Sequence, residues 1–320
     1  MTVIIAFLAN LLVAVAKTFA AIITASASMV AEAAHSWADA GNEIFLLIAD
    51  RQGARSKDAR HPLGYGRSAF VWSLIAAFGI FTAGAIVSIM HGIQELGSDE
   101  PVESPVVAYA VLAVAFVLEG ASFTQALIRS RRLARERGSS TWDFVIETSD
   151  TTLRAVFFED AAALIGLVLA GGSIALHQIT GIAAWDAVGS ILVGLLLAVV
   201  AVVLIGRNLA FIVGTSASRA LRSRVGTALL AAPAIERVTY LHIEYVGPNR
   251  LFIVAEIDLA GDDREHDVAR RLRDVERQIE AHPVVETVVL SLSVDDEPSL
   301  VFDDVTYPIG RADATSPTIR

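Results

Sequence analysis

Not one of the 320 residues is a cysteine. Disulfides, thiolate nucleophiles and thiolate zinc sites are thereby excluded together, which leaves histidine and carboxylate as the strong metal ligands. Charge is also scarce. Only 19% of the chain is Asp, Glu, Lys or Arg while 54% is hydrophobic, against about 25% and about 45–50% in soluble domains. No GxxxxGK[ST] loop occurs, so ATP-driven pumping has no phosphate cradle to rest on. No basic stretch precedes the apolar start Val3–Ala16 and no small-residue cleavage site closes it. That start therefore reads as a retained helix and not a signal peptide, and the lack of a presequence suggests a prokaryotic cytoplasmic membrane.

What charge there is lies unevenly. Residues 1–214 hold 13 basic and 17 acidic side chains, and residues 215–320 hold 12 and 18. The second stretch is half as long, so its charge density is that of a water-exposed domain. The expected organisation is a transmembrane domain over 1–214, a cytoplasmic α+β domain over 215–295 and a poorly ordered tail over 296–320.

A hydrocarbon core about 30 Å thick needs about 20 apolar residues per helix. Six segments qualify: Val3–Ile23, Met29–Ala49, Ala69–Ile89, Val106–Ile128, Leu153–Leu176 and Ala184–Ile205. The fold expected of them is an all-α six-helix transmembrane bundle. The loop after the second span carries Arg51, Arg55, Lys57, Arg60 and Arg67, and the loop after the fourth carries Arg129, Arg131, Arg132, Arg135 and Arg137. The loop 95–103 between them has four acids and no basic residue. By the positive-inside rule both basic loops are cytoplasmic, and an even number of spans puts both termini there too. Beyond Arg207 the pattern becomes αββαβ. A helix over Ser218–Leu230 precedes strands Val238–Val246 and Leu251–Leu259 about the turn Gly247-Pro248-Asn249-Arg250. A charged helix over Asp263–Ala281 and a strand over Val284–Val294 complete it.

An ionisable group at mid-membrane costs about 2.5–3.5 kcal/mol on insertion scales and needs a reason. The second span holds a run of them. Glu32, His35, Asp39, Asn42 and Glu43 recur at intervals of three and four, on one helix face. His35 and Asp39, at i and i+4, can point an imidazole and a carboxylate at one ion, a donor pair that suits zinc. The fifth span adds the adjacent acids Glu159 and Asp160. Two acidic helices in an apolar bundle imply a cation between them, a proton, or both. Other polar residues have plainer readings. Lys17 and Glu119 are candidates to neutralise each other, and Asp186 reads as a helix-start residue. In the soluble part, His242 and Glu256 share a strand face but make a poor metal site, and His266 and His282 sit at helix ends.

The stretch Ala31-Glu32-Ala33-Ala34-His35-Ser36-Trp37-Ala38-Asp39 resembles the second-helix signature of the cation diffusion facilitator family, whose HxxxD binds transported metal. His61-Pro62-Leu63-Gly64-Tyr65-Gly66-Arg67 is similar to the family's HPxGxGR ahead of the third span. Phe157-Phe158-Glu159-Asp160-Ala161 resembles one branch, which includes the animal mitochondrial zinc transporter numbered nine. The resemblance covers about residues 1–295. It implies zinc/proton antiport by a homodimer in a lipid bilayer, with His35, Asp39 and Glu159 as ligands. Asp160, a water or Asn42 is left for the fourth place, and Asn42, Glu43 and Glu32 are supporting polar residues. Zinc-type members also carry HxxxD in the fifth span, and here those positions hold Glu159 and Ala163. An oxygen-rich site also suits manganese, so export of manganese, iron, cobalt or nickel is the alternative on the same fold. An intramembrane metal-dependent hydrolase, with Glu159 or Asp160 as base, is the alternative of another class. No resident cofactor, enzymatic activity or nucleic-acid partner is expected.

Overall fold

A computed structural model describes residues 2–97, 104–261 and 263–302. The apolar runs become long helices. Helix α1 spans Thr2–Thr24 and α2 spans Ala27–Gly53, started by Ser26, whose hydroxyl accepts the amide of Met29. The third run is one rod in three pieces: α3 (Gly66–Gly79), a π-helical stretch (Ile80–Ile86) and α4 (Val87–Glu95). Helix α5 (Pro105–Arg137) opens on proline, where the missing amide costs nothing, and stops at Gly138 in the left-handed region with φ 69°. Helices α6 (Thr141–Glu147), α7 (Thr151–Thr180) and α8 (Ala184–Val213) follow. By length and composition, four of the described helices can cross a membrane: Gly66–Glu95, Pro105–Arg137, Thr151–Thr180 and Ala184–Val213.

Helix α2 is the hub. It packs against α1, α3, the π stretch, α4, α7 and α8. Its neighbours meet it largely through small side chains. Ala31, Ala77 and Ala162 lie in one buried cluster with Phe157, Val193 and Leu197, and Ala20, Met29, Ala115 and Ala170 lie in another. Small residues let helices approach closely where burial from water is not the drive.

The last part follows the expected order: α9 (Arg219–Leu230), β1 (Ile235–Gly247), β2 (Arg250–Leu259), α10 (Glu265–Glu280) and β3 (Val285–Leu292). The sheet order is β1-β2-β3. The hairpin turn holds Asn249 at φ 54°, a conformation asparagine tolerates. Leu251 and Ser293 donate to Val284 and Ile257, so β3 runs parallel to β2 after the crossover through α10. Along β2 every second residue is buried, as the alternation requires. The outer amides of β3 are covered: Leu290 and Val288 donate to Glu276 and Glu280 of α10 at 3.0 and 3.2 Å. A sheet edge is blunted in this way. The chain divides into two compact units. One is 1–215 with 244–252 and 283–287, and the other is 216–243, 253–282 and 288–320.

Three local expectations change. Arg129–Arg137 lie on α5 and not in a loop, because no helix breaker intervenes before Gly138 and backbone hydrogen bonding does not require apolar side chains. The short helix α6 was not anticipated. Ser140, whose hydroxyl accepts the amide of Asp143, starts it. Of the tail, residues up to Phe302 are described and held in place: Leu300 donates to Val238 at 2.8 Å, and the Phe302 ring lies against Gly226. Residues 303–320, and most of the acidic loop 95–103, lie outside the described residues.

Candidate functional site

Helical spacing puts His35 and Asp39 one turn apart on α2. Nε2 of His35 lies 3.2 Å from Asp39 Oδ2, with His35 almost fully buried. One turn further, Asn42 donates to Glu159 of α7 and so joins the two acidic helices. Asp160, about 100° around α7, turns to α5 instead, where Ser122 donates to its carboxylate at 2.6 Å. Glu43 is held by Asn10 of α1 at 2.8 Å. Glu159 is therefore hydrogen-bonded to the α2 stripe, and Asp160 is hydrogen-bonded to α5.

Several buried polar atoms in the stripe have no hydrogen-bond partner: both ring nitrogens of His35, Asp39 Oδ1, Asn42 Oδ1 and Glu43 Oε2. The close approach of His35 to Asp39 is thus an electrostatic contact without hydrogen-bond geometry. Orphaned polar atoms away from water cost about 1–3 kcal/mol each. These lie where the sequence places the candidate metal ligands, while others of the kind are scattered singly at Ser73, Ser130, Thr151, Arg154, His177 and Ser293. Among the described residues no three His, Asp or Glu side chains already close on one point. The arrangement thus offers a pair of donors on α2 and a carboxylate on α7, linked through Asn42.

Two neighbouring clusters find partners within the protein. Lys17 of α1 does not pair with Glu119, as expected from depth alone. Its ammonium donates to Glu32 of α2 at 2.8 Å, with both side chains fully buried. One oxygen of Glu32 is held by that ion pair, and the other, Oε1, is buried without a hydrogen-bond partner. Gly166 of α7 makes room for it, since a Cβ there would lie 2.5 Å from Glu32 Oε1. At the start of α2, Asp186 begins α8 as expected but serves another helix. It accepts from the Ser26 hydroxyl at 2.9 Å and from the amides of Ala27 and Ser28 at 2.5 and 3.3 Å. Ser28 in turn shares a 2.7 Å hydrogen bond with Ser173 of α7. A carboxylate on the first amides of a helix also meets the positive end of its dipole.

The HPxGxGR stretch enters α3 through a loop organised by Asp58. Its carboxylate accepts from the amides of Arg60 and His61 and from the Tyr65 hydroxyl at 2.7 Å. The Tyr65 bond, then that of His61, hold this carboxyl down at about 2 and push the Tyr65 phenol up. On β1 and β2, no group of three metal-ligating side chains gathers around His242 or Glu256 among the described residues.

The sequence signals for the missed contacts are modest. Ser26 and Ser28 at a helix start ask for an acceptor, and Lys17 lies a helical hairpin away from Glu32. Nothing in the composition announces the π turn.

Residues 3–213 match the family described as the cation efflux transmembrane domain. The mitochondrial proton-coupled zinc antiporter SLC30A9 of Xenopus laevis is 36% identical over 245 residues, 77% of this chain and 44% of the relative. Metal tolerance protein C4 of Arabidopsis thaliana is 35% identical over 233 residues, covering 73% and 51%. The cation-efflux pump FieF of Shewanella oneidensis is 30% identical over 153 residues, covering 48% and 49%. The chain thus spans about half the length of these curated relatives. They are named as transporters and a tolerance protein, not as enzymes.

Proposed function

Because this chain belongs to the cation diffusion facilitator family, we infer that it is an integral membrane antiporter that moves a divalent metal, zinc first, outward against returning protons. The observation that carries this is the α2 stripe. His35 and Asp39 keep unpartnered donor atoms, and Asn42 ties that turn to Glu159 of α7. A dication entering there exchanges an electrostatic cost for coordination. Metal binding needs the imidazole neutral and the carboxylates ionised, so protons compete for the same atoms, and that competition is the coupling. Rocking of α2 and α7 about the site alternates its exposure.

In this reading α1 and α2, helices of 23 and 27 residues, join the four apolar rods as spans. Six spans and the basic segments put both termini on the cytoplasmic side. The site ligands are His35, Asp39 and Glu159. The fourth place is open to Asn42, a water, or Asp160 after a turn of its side chain away from Ser122. The working unit is a homodimer, and residues 215–295 form its cytoplasmic domain. The relatives named as proton-coupled zinc antiporters support zinc. Glu159, standing where zinc-type members place a histidine, favours manganese as the second reading.

Uptake into proteoliposomes with an imposed pH gradient is the test. Zinc should accumulate only when the gradient is present, and manganese offered at equal concentration should accumulate more slowly. Zinc flux indifferent to the gradient rejects antiport, and manganese flux exceeding zinc flux replaces the first reading with the second.

A further inference from the structure

Helix α5 differs from the other three apolar rods in how little of it is covered by neighbours. Val106, Val114, Val117 and Ile128 are each more than 60% exposed. At 100° per residue they fall within an arc of about 100°, a stripe that faces acyl chains. The same arc, continued past Ile128, holds Arg131, Arg132 and Arg135. All three are exposed. Arg132 makes one loose ion pair, with Glu136 at 3.9 Å across an exposed helix face. The other two arginines of the run lie outside the arc and are engaged: Arg129 with Asp150 at 3.5 Å and Arg137 over the Phe144 ring at 4.9 Å. Beside them, α6 packs on α5 and α7 and carries Trp142, 58% exposed, its ring edge-on to Phe158 at 5.8 Å.

We propose that Arg131, Arg132 and Arg135, with Trp142, form a docking surface for anionic phospholipid headgroups. The inference rests on α5 spanning the bilayer and is independent of the metal carried. A lipid whose tails lie on the valine stripe presents its phosphate at the next turns of the same face. Guanidinium groups pair with phosphate oxygens bidentately. An indole at that depth sits in the aromatic belt with its N–H toward headgroups. Basic clusters just beyond a span attract anionic lipid, each charge being worth about fivefold in local enrichment. Among the described residues, the arginines that face away from the stripe pair with Asp150 and Phe144, and of those that continue it Arg132 alone has an ion pair, at 3.9 Å.

The test uses the full chain in vesicles of neutral phosphatidylcholine, with Trp37, Trp72 and Trp185 replaced by phenylalanine so that Trp142 reports alone. Chain-brominated phosphatidylglycerol or chain-brominated phosphatidylcholine is added at the same mole fraction. The expected result is quenching that favours the anionic lipid by at least about fivefold in apparent association, the worth of one such charge. The preference should fall toward one in R131Q/R132Q/R135Q, and weaken at 1 M salt, where the Debye length is about 3 Å. Equal quenching by the two lipids in the parent, or a preference unchanged in the triple variant, overturns the proposal. If the single-tryptophan chain loses its helical circular dichroism, the relative association of spin-labelled versions of the two lipids with the unaltered chain and its triple variant decides by the same criterion. Loss of zinc flux with lipid preference intact, or the reverse, separates this surface from the transport reading.

Discussion

Helix α2 carries two polar clusters that have met opposite fates. At its start, Asp186 gathers the Ser26 hydroxyl and the amides of Ala27 and Ser28, and Ser28 reaches Ser173. A few turns on, His35, Asp39 and Asn42 keep atoms with no hydrogen-bond partner. Both clusters are buried and both contain an acid. Only the first is complete within the protein. Chemical type does not separate scaffold from site here, but satisfaction does. A finished network fixes one arrangement, while an unfinished one leaves donor atoms for the proposed cation.

The sharpest way to break that contrast is to remove one acid from each cluster. Asp39→Ala should reduce metal flux to background while the protein stays inserted and melts near the parent temperature. Asp186→Ala should retain flux but lower stability by about 1–3 kcal/mol, because three buried donors lose their acceptor. Flux assays beside thermal unfolding in detergent read both. Substantial flux in the first variant, or an unaltered melt in the second, removes the distinction.

Next in size is the Lys17–Glu32 pair, an ion pair that leaves Glu32 Oε1 without a hydrogen-bond partner. Lys17→Met leaves a buried carboxylate alone and should cost about 3–5 kcal/mol, whereas adding Glu32→Leu should recover most of the loss. A double variant no more stable than the single one indicates that the pair is not coupled as its 2.8 Å geometry implies. Smaller again is the split between the adjacent acids of α7. Glu159→Ala should lower flux by about a hundredfold and Asp160→Ala by about tenfold or less, since Glu159 is hydrogen-bonded to Asn42 of the α2 stripe and Asp160 to Ser122 of α5. The opposite ranking reassigns the ligand.

The smallest expected effect lies outside the membrane. Asp58 is held at about 2, below its ordinary value of about 3.9. Its contribution to loop order is complete above about pH 4 and is lost as pH falls through about 2. Tyr65→Phe removes the largest cause of that depression and should shift the loss upward in pH. Amide exchange at Arg60 and His61 measures it, and identical profiles in parent and variant would refute the assignment.

Particular residues show what the sequence could tell. Every expected span lies inside a helix, since long apolar runs in a helical period are unambiguous, and the αββαβ order followed from alternation and a Pro-Asn turn. Hydropathy could not place the end of α5, because it reports the edge of the apolar stretch and not where hydrogen bonding stops. It could not choose Lys17's partner either, since depth in a membrane leaves the rotation of each helix undetermined. The same rotation decides that Glu159, and not its neighbour, meets Asn42. Spacing named the donors on α2, and only packing showed which of them are still short of partners.

The π turn in the third rod acts as a vernier. Ile80, Gly84, Ser88 and Gly92 recur at intervals of four, and four residues carry an α-helix through about 400°, so such a row creeps by about 40° at each step. The wider turn over Ile80–Ile86 takes more residues per revolution and gives some of that creep back. Gly84 therefore meets Leu197, Ser88 offers its carbonyl to Ser190 at 2.8 Å, and Gly92 lies against Ala187 and Ile191, all along α8. An unbroken α-helix of the same sequence would carry the row off that neighbour before reaching its end, so the wide turn is what keeps two mismatched rulers in register.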